Sequence, residues 1–356
     1  MRTGLIFSGG GTTIRRMAEL AREAELAGLD AVYLCEAWRS GFVGLAAIAM
    51  ATEKVEIGPY ILNAYGRSPW LTAMSAIDLD ELSGGRLVLG IGTGNKHINE
   101  EWQGVPQEKP LTKMREYIHQ LKAAVGTPLG ERVDIDGDVH RMHWAPAVAP
   151  LRSSIPVFLA ALFPKMTEVA GQVADGIALG ALLSPDYLRE IVLPRFRSAA
   201  QSAGRDPATL GVTLAPFVSV GGDPDAARQA ARSAICHLYA PLPHPYYDYV
   251  LREQGFSRAA DAAARYVPEG KIEKAMEAFT DDIVDTVTVC GTLAEGRRRL
   301  QSFEGLADLT LFVNVNYGGT SQEELQAAFT NLIELGRRQS RQPLQRRRSQ
   351  RSSIHR

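Results

Sequence analysis

Hydrophobic and polar residues alternate along the chain in blocks that predict strands and helices in turn. TGLIFS is a short apolar run, and the next segment has apolar residues at helical spacing. Thr12 or Thr13 is expected to cap the start of this helix and Gly28 to end it. AVYLCEAW then predicts a buried strand that ends in Glu36. Because the connection is a single short helix, the two strands are expected to be parallel neighbours.

The same alternation recurs towards the C-terminus. The predicted strands are TGLIFS, AVYLCEAW, KVEIGPYIL, GRLVLGIG, IPVFLAA, DGIALGA, LGVTLAPFVSV and DLTLFVNVN. Most are separated by helical patterns, and ERVDIDGDVHRM predicts a hairpin that turns at Asp136-Gly137. Residues 223–282 predict consecutive helices with a proline-rich, aromatic turn at APLPHPYYDYV. The pattern predicts one (β/α)8 TIM-barrel domain over residues 1–336, with a helical insertion before the eighth strand.

An open doubly wound sheet is the alternative arrangement of such units. Its test is the dinucleotide-binding fingerprint, and RLVLGIGTGN offers Gly90, Gly92 and Gly94. The third glycine of the fingerprint would fall on Asn95, and the polar KHINEEW follows where a helix should begin. The fingerprint therefore fails on its context, and the barrel is favoured.

Composition describes a globular protein and excludes several classes. The chain has 356 residues, of which 45% are hydrophobic and 22% charged. No apolar run approaches the roughly 20 residues that a membrane span needs, and the N-terminus lacks the hydrophobic region of a signal peptide, so the cytoplasm is expected. Cys35, Cys236 and Cys290 are far apart in sequence, which indicates neither a disulfide framework nor a metal site.

Charge is distributed unevenly along the chain. Residues 337–356 contain eight arginines and no acidic residue, and the rest has 31 basic against 40 acidic residues, a net charge of about −9. An acidic body is a poor surface for nucleic acid, so no nucleic-acid partner is expected. The arginine-rich tail is expected to be disordered.

Polar residues follow two of the predicted strands at the point where each strand ends. Because the carboxyl ends of parallel strands meet at one mouth of a barrel, Glu36 and Asn63 are expected near each other. Glu36 could be a proton donor or a hydrogen-bond partner of a heteroaromatic ring, or it could form a salt bridge at the rim with Arg39 or another base. Asn63 could bind a ring carbonyl and ring N–H, or it could form an Asx-turn that leaves the strand.

The loop after the fourth strand carries a second polar group. Gly94 lets the backbone approach a flat ligand, while Asn95, Lys96 and His97 can donate hydrogen bonds to it. His97 is a candidate catalytic residue, although a lone histidine is more often structural. Neither the spacing of a Ser-His-acid triad nor an HExxH pattern occurs, so no metal is expected.

The loop after the fifth strand suggests a phosphate site. Pro164 suits the first position of a helix, whose free amides bind phosphate well. Gly180 and Ala181, which end the sixth strand, are small enough for a phosphate tail to lie across them. Ordinary helix initiation is the alternative explanation.

Five segments together carry a resemblance to a known family. They are GLDAVYLCEAW, GPYILNAYGRSP, LDELSGGRLVLGIGTGN, PVFLAALFPKMTEVAGQVADG and VCGTLAEG. In this order they resemble the bacterial luciferase-like superfamily of flavin-dependent oxidoreductases. Within it the chain is most similar to the branch that uses the deazaflavin coenzyme F420 and includes methylenetetrahydromethanopterin reductase. The resemblance covers residues 1 to about 335.

The resemblance implies how the site is built. In this family the flavin ring lies in the barrel mouth against a bulge that contains a cis peptide, which here falls between Tyr60 and Ile61. Glu36 and Asn63 match residues near the ring, and Asn95 lies in a loop that the family uses for the cofactor. The residues that match the loops holding the cofactor's phosphate are Ala160, Ala161, Leu162, Phe163, Gly180 and Ala181.

Two departures from the family pattern bear on the substrate. Many members carry a histidine after the acid of strand 2, where this chain has Ala37, and methanopterin reductases carry an acid on strand 1, where this chain has Ile6. Both replacements make the mouth more apolar, so a small, fairly hydrophobic organic substrate is expected.

The resemblance implies an F420-dependent oxidoreductase that transfers a hydride between reduced deazaflavin and a C=C, C=N or C=O group. The alternative is an FMN-dependent two-component monooxygenase that takes reduced flavin from a separate flavin reductase. A third reading is a flavin-binding member without turnover. The resemblance also suggests a homodimer, with the small apolar residues of GLAAIAMA and LTAMSAI as contacts.

Overall fold

The computed structural model describes residues 1–8, 10–240, 243–315 and 321–337, and its centre is a sheet of parallel strands. The strands are β1 (Arg2–Phe7), β2 (Ala31–Leu34), β3 (Glu56–Pro59), β4 (Leu62–Asn63), β5 (Leu89–Gly92), β6 (Val133–Asp136), β7 (Arg141–Trp144), β8 (Val157–Ala160), β9 (Gly176–Leu179), β10 (Gly211–Leu214), β11 (Phe217–Val220), β12 (Val289–Gly291) and β13 (Leu309–Asn314). All but β6 and β7 belong to this sheet.

The sheet curves into a nearly closed barrel. Its order is β3-β2-β1-β13-β10-β9-β8-β5-β4, and a bridge between Ile57 and Leu87 brings β3 beside the start of β5. β3 and β4 are two parts of one barrel strand, as are β10 and β11. Strands β2, β5 and β9 are buried on both faces, as expected for parallel strands covered by helices. The predicted TIM barrel is confirmed.

Helices surround the barrel. They are α1 (Ile14–Leu26), α2 (Gly41–Ala51), α3 (Pro69–Leu82), α4 (Pro110–Gly126), α5 (Pro164–Val173), α6 (Pro185–Tyr187), α7 (Leu193–Ser202), α8 (Pro224–Cys236), α9 (Pro245–Glu253), α10 (Ser257–Tyr266), α11 (Ile272–Met276), α12 (Asp281–Val287), α13 (Leu293–Gln301) and α14 (Gln322–Gly336). Two π-helical turns (Ile98–Trp102 and Leu188–Val192) and a short 3₁₀ helix (Pro207–Thr209) complete the set. In the described part of the chain, no helix combines the length and the apolar character that a membrane crossing requires.

All eight predicted strands are present, and the hairpin forms from β6 and β7. Thr13 caps α1 through its side chain, and Gly28 follows that helix with a φ of 90°. Strand β12 was not predicted, because three residues are too few to show a strand pattern. The part of the predicted tail beyond Arg337 lies outside the described residues.

One prediction within residues 223–282 was wrong in part. These residues are helical, but HPYYDYV is not a turn, because Pro245 begins helix α9. Proline is compatible with the first position of a helix, where the missing N–H would have no partner in the helix. KHINEEW, predicted as a polar loop, also forms a short helical segment that ends in the π-helical turn Ile98–Trp102.

Tyr60 crosses the inside of the barrel. It follows β3, and its hydroxyl donates to the carbonyl oxygens of Leu179 at 2.8 Å and Thr213 at 3.1 Å, on the opposite strands β9 and β10. Its ring meets the ring of Tyr33 edge-on at 5.9 Å. Tyr60 therefore forms a floor beneath the mouth at the carboxyl ends of the strands.

The LDELSGGR segment lies at the other end of the barrel. Asp80, which is 1% exposed, accepts two hydrogen bonds from Arg152 at 2.9 and 2.7 Å. Arg86 donates to the backbone carbonyls of Ala49, Thr52 and Val55. This segment thus fixes helices α2 and α3 to the barrel, a structural task typical of the amino-terminal face.

Candidate functional site

Glu36 lies two residues after β2, at the mouth. Its Oε1 accepts the N–H of Gly41 at 3.2 Å, and its Oε2 accepts the N–H of Asn63 at 3.4 Å. The guanidinium of Arg67 lies 3.8 Å from Oε1, and the two side chains are 20% exposed or less. Arg39, the partner considered from sequence, donates to the carbonyl of Thr12. Glu36 thus connects the loop after β2 to the end of β4.

The peptide bond between Tyr60 and Ile61 is cis, as the family resemblance implies. It lies between β3 and β4, so the barrel strand is interrupted at this point. The N–H of Tyr60 donates to the carbonyl of Leu34 on β2 at 2.8 Å. The bulge at the end of the third barrel strand is therefore fixed from below by the floor contacts of Tyr60 and from the side by β2.

Asn63 uses both ends of its amide within the protein. Its Oδ1 accepts the N–H of Tyr65 at 3.0 Å, which is the Asx-turn considered from sequence, and its Nδ2 donates to Oδ1 of Asn99 at 2.6 Å. Gly94 has a φ of 66°, and a Cβ at this position would lie 2.6 Å from Cγ of Asn63. The loops after β4 and β5 are thus in direct contact.

Asn95 connects the loop after β5 to the helical insertion. Its Oδ1 accepts the N–H of His97 at 2.8 Å and so caps the short helical segment that follows. Its Nδ2 lies 3.1 Å from the carbonyl of Pro243 and 3.2 Å from Nδ1 of His244. Asn95 is buried, and this contact with His244 was not foreseen from sequence.

His97 is exposed at the rim of the mouth. Its ring lies 6.5 Å from the ring of Trp102, which in turn lies 5.0 Å from the ring of Trp38. Both tryptophans are largely exposed, at 47% and 63%. The structure therefore places the ring of His97 in an open aromatic group, and His97 reaches Asn95 only through its backbone N–H.

The predicted phosphate loops also lie at the mouth. Ala160 ends β8, and Leu162 is half-buried. The N–H of Ala161 donates to the carbonyl oxygen of Ala178 on β9 at 3.3 Å. Phe163 precedes α5 and has no side chain that can cap it. Pro164 lacks an N–H and the N–H of Met166 donates to the carbonyl of Phe163 at 3.1 Å, so the N–H of Lys165 is the first-turn amide that remains for a ligand. Gly180 and the buried Ala181 follow β9.

Helix α9 covers these loops with aromatic side chains. The hydroxyl of Tyr246 donates to the carbonyl of Gly94 at 2.7 Å. The rings of Tyr246 and Tyr249 lie 5.8 and 4.9 Å from the ring of Phe163. The hydroxyl of Tyr247 approaches Gly180 so closely that a Cβ there would lie 2.7 Å away.

Sequence reasoning expected HPYYDYV to bear on the substrate but named no residue of α9 as a site residue, and it did not name the partners Arg67 and Asn99. A usable signal was present in HPYYDYV, since four aromatic rings in six residues are unusual for a solvated turn. No signal in the sequence alone indicated that this stretch packs over the loops after β5, β8 and β9.

The residues at the mouth fit a flavin-type cofactor. The floor is aromatic and apolar, the wall carries amides and one carboxylate, and the loops after β8 and β9 combine small residues with the Lys165 amide at the start of α5. Flat rings are typically bound by apolar surfaces with a few polar groups that fix their orientation. An anionic tail would find a partner at the start of α5.

Comparisons with known proteins agree with this geometry. A family model described as luciferase-like monooxygenase matches residues 3–309. The 5,10-methylenetetrahydromethanopterin reductase of Methanolobus tindarius is 31% identical over 291 residues, which is 81% of this chain and 86% of the reductase.

Solved structures share the fold. The coenzyme F420 dependent tetrahydromethanopterin reductase from Methanopyrus kandleri has a TM-score of 0.78 at 23% identity, covering 94% of this chain and 97% of that chain. The oxygenating constituent of 3,6-diketocamphane monooxygenase from Pseudomonas putida, in complex with FMN, has a TM-score of 0.66 at 17% identity, covering 95% and 96%. The same barrel is thus found with either type of cofactor.

Proposed function

Because the chain belongs to the luciferase-like monooxygenase family, we propose that it is an oxidoreductase that binds reduced coenzyme F420 and transfers its hydride to a small organic substrate. The acceptor would be a C=C, C=N or C=O group. The choice of F420 rests on the similarity to the reductase of Methanolobus tindarius, which is 31% identical over most of both chains. The solved tetrahydromethanopterin reductase from Methanopyrus kandleri, which shares the fold, is coenzyme F420 dependent.

The bulge at Tyr60 and Ile61 would support the cofactor ring. When bound, reduced F420 would supply the hydride, and the chain would supply position and electrostatics. Asn63 and Asn95 are already engaged with Asn99 and His244, so their task would be to hold the loops at the ring edge in place. Preorganised polar groups of this kind act without having to reorient during the reaction.

Glu36 is the proposed proton partner. When one atom of the substrate's double bond gains a hydride, the other atom must gain a proton. Glu36 is the carboxyl group that lies at the end of β4. Its contacts with Gly41, Asn63 and Arg67 fix its orientation. To deliver this proton Glu36 would act as the carboxylic acid and would regain the proton from water after turnover, which is general acid catalysis by a fixed group.

The second candidate is an FMN-dependent two-component monooxygenase. It is favoured by the FMN complex among the structures that share the fold. Such an enzyme would bind reduced FMN delivered by a separate flavin reductase and would need oxygen. The two candidates differ in the cofactor that fits the loops after β8 and β9.

Titration of the purified protein with F420 and with FMN distinguishes the candidates. We expect quenching of F420 fluorescence with saturable binding and at least tenfold weaker binding of FMN. Tighter binding of FMN than of F420 would overturn the proposal. A non-catalytic member would bind reduced F420 yet never oxidise it with any substrate of a panel of enones, imines and ketones.

A pair of matched variants tests the predicted phosphate loops. Ala160 ends β8 and is half-buried, so Ala160→Leu places a larger side chain at the mouth, in the predicted phosphate loop. Ala18→Leu makes the same change at a half-buried alanine of helix α1, away from these loops. We expect only the first change to weaken F420 binding, by roughly tenfold.

A further inference from the structure

We infer that His244 is a substrate-binding residue that donates a hydrogen bond from Nε2, and that with Tyr247 it fits the mouth to planar, uncharged carbonyl compounds. This inference rests on the proposed function, because it assigns the substrate class of the same site. It adds a histidine that no sequence pattern had placed near the mouth.

The position of His244 is fixed from two sides. Its Nδ1 lies 3.2 Å from Nδ2 of Asn95, in the loop after β5. Its ring lies 5.9 Å from the ring of Tyr247, whose hydroxyl packs against Gly180 after β9. The imidazole therefore lies between the ends of two barrel strands, above the mouth.

The contact with Asn95 sets the state of the ring. An amide N–H can only donate, so Nδ1 of His244 accepts and the ring proton lies on Nε2. Burial lowers the pKa of His244, which favours the neutral ring. Among the described residues, the ring makes its polar contact through Nδ1, so the N–H at Nε2 remains for a ligand.

Tyr247 defines the width of the space next to His244. Its hydroxyl lies against Gly180, directly after Leu179, whose carbonyl accepts the hydroxyl of Tyr60. The phenol ring of Tyr247 and the floor residue Tyr60 are thus adjacent at the end of β9. The rings of His244 and Tyr247 are in edge contact at 5.9 Å, so a ligand would lie beside this pair, where the aromatic surfaces favour a flat molecule.

The part of the wall that residues 243–248 form carries no unpaired charge. Residues 243–247 are Pro, His, Pro, Tyr and Tyr. The next residue, Asp248, accepts hydrogen bonds from Arg252 at 2.8 Å and from Tyr239 at 3.2 Å. A charged substrate group would lose its hydration here without gaining a partner, whereas a neutral carbonyl needs one donor.

Three small probes test the inference on the full-length protein. Acetophenone is flat and has one carbonyl, ethylbenzene lacks the oxygen, and 4-acetylbenzoate adds a negative charge. Each probe would be titrated into the protein with and without F420, and binding would be monitored by saturation-transfer NMR. We expect acetophenone to bind with a dissociation constant below about 10 mM and 4-acetylbenzoate to bind at least fivefold more weakly.

Two variants separate the ring nitrogens. His244→Asn retains a polar group near Nδ1 and loses the donor at Nε2, whereas His244→Gln retains a donor near Nε2. We expect His244→Asn to weaken acetophenone binding at least fivefold and His244→Gln by less than twofold. Ethylbenzene should bind both variants equally, which a merely structural role of His244 would not produce.

The outcomes distinguish this inference from the proposed function. If the fluorescence of F420 is not quenched, but His244→Asn weakens acetophenone binding and His244→Gln does not, the cofactor proposal fails and the assignment of His244 stands. Equal acetophenone affinity of His244→Asn and wild type overturns the inference, as does the absence of saturable acetophenone binding. Tight binding of 4-acetylbenzoate overturns the assigned substrate class.

Discussion

The side-chain amide of Asn63 donates a hydrogen bond of 2.6 Å to Oδ1 of Asn99. Asn63 ends β4, and Asn99 lies in the π-helical turn after β5, where its own Nδ2 donates to the carbonyl of Thr93 at 2.8 Å. Both asparagines are buried. Two neighbouring loops of the mouth are thus joined through one side-chain pair.

Removing either asparagine should destabilise the protein. In Asn63→Ala the Oδ1 of Asn99 loses its close donor, and in Asn99→Ala the carbonyl of Thr93 also loses one. We expect each change to lower the free energy of unfolding by about 1–3 kcal/mol in urea titrations. The double variant should show a coupling energy of at least about 0.5 kcal/mol, and strict additivity would contradict a direct contribution of the pair.

Two glycines with the same backbone conformation offer a second test. Gly84 and Gly94 have φ values of 67° and 66°. A Cβ at Gly84 would meet open space, whereas a Cβ at Gly94 would lie 2.6 Å from Cγ of Asn63. We expect Gly84→Ala to cost about 1 kcal/mol from its backbone alone and Gly94→Ala to cost clearly more, as measured by denaturation. Equal costs would show that Asn63 can move aside freely.

Glu36→Gln tests the proposed proton partner. The amide keeps the size of the carboxylate, so we expect turnover of reduced F420 to fall by about 100-fold and F420 affinity to stay within twofold. Glu101→Gln, at an exposed acid of the rim, is the control and should change neither. Parallel loss of turnover and affinity would make Glu36 a binding residue only.

His140 should make stability depend on pH. Burial, with a smaller contribution from the positive charge of Lys113, lowers its pKa from 6.5 to about 4, while Glu116 acts in the opposite direction. Between pH 6.5 and 4, His140 therefore binds a proton in the unfolded chain but not in the folded chain. The free energy of unfolding consequently falls as the pH decreases from 6.5 to 4. We expect the melting temperature of His140→Gln to fall by a few degrees less than that of wild type over this range.

NMR titration provides a direct check of His140. Its imidazole should titrate near pH 4, whereas the exposed His143 has its pKa raised by Asp134 and should titrate above 6.5. A normal pKa for His140 would contradict its burial between α4 and the hairpin of β6 and β7.

A second copy of the chain is the expected cover of helix α2. This helix, GFVGLAAIAMA, has no polar side chain, yet Val43 and Met50 are 60% and 72% exposed. They lie seven residues apart and so share one face of the helix. We expect wild type to be a dimer by light scattering and the variant Val43→Glu with Met50→Glu to be a monomer. Ile191→Glu, at an exposed apolar residue on another helix, should leave the mass unchanged.

The barrel was predictable because its strands are apolar runs of nearly constant length between helices with clear caps. Ser68 and Ser321, for example, accept hydrogen bonds from the first turns of α3 and α14. The cis bond at Tyr60 followed from the family resemblance and not from the chemistry of the residues. The segment LDELSGGR, which carried much of that resemblance, proved to be structural.

The contacts within the site were less predictable, because they depend on how separate loops pack. Arg39 was the nearest base to Glu36 in sequence, yet Arg67 lies beside Glu36 in the structure. His97 was predicted as a candidate because it follows Asn95 in the same loop. His244 contacts Asn95 from the position directly before helix α9, about 150 residues later in the chain. Local patterns contain no information about such contacts between distant segments.

The hydroxyl contacts of Tyr60 also bear on kinetics. Since this side chain spans the barrel from β3 to β9 and β10, the mouth is a pocket that is open at one end. Two ligands that share such a pocket must enter in sequence, and the deeper one leaves last. Steady-state kinetics should accordingly follow a compulsory order, with the ligand that touches Tyr60 binding first.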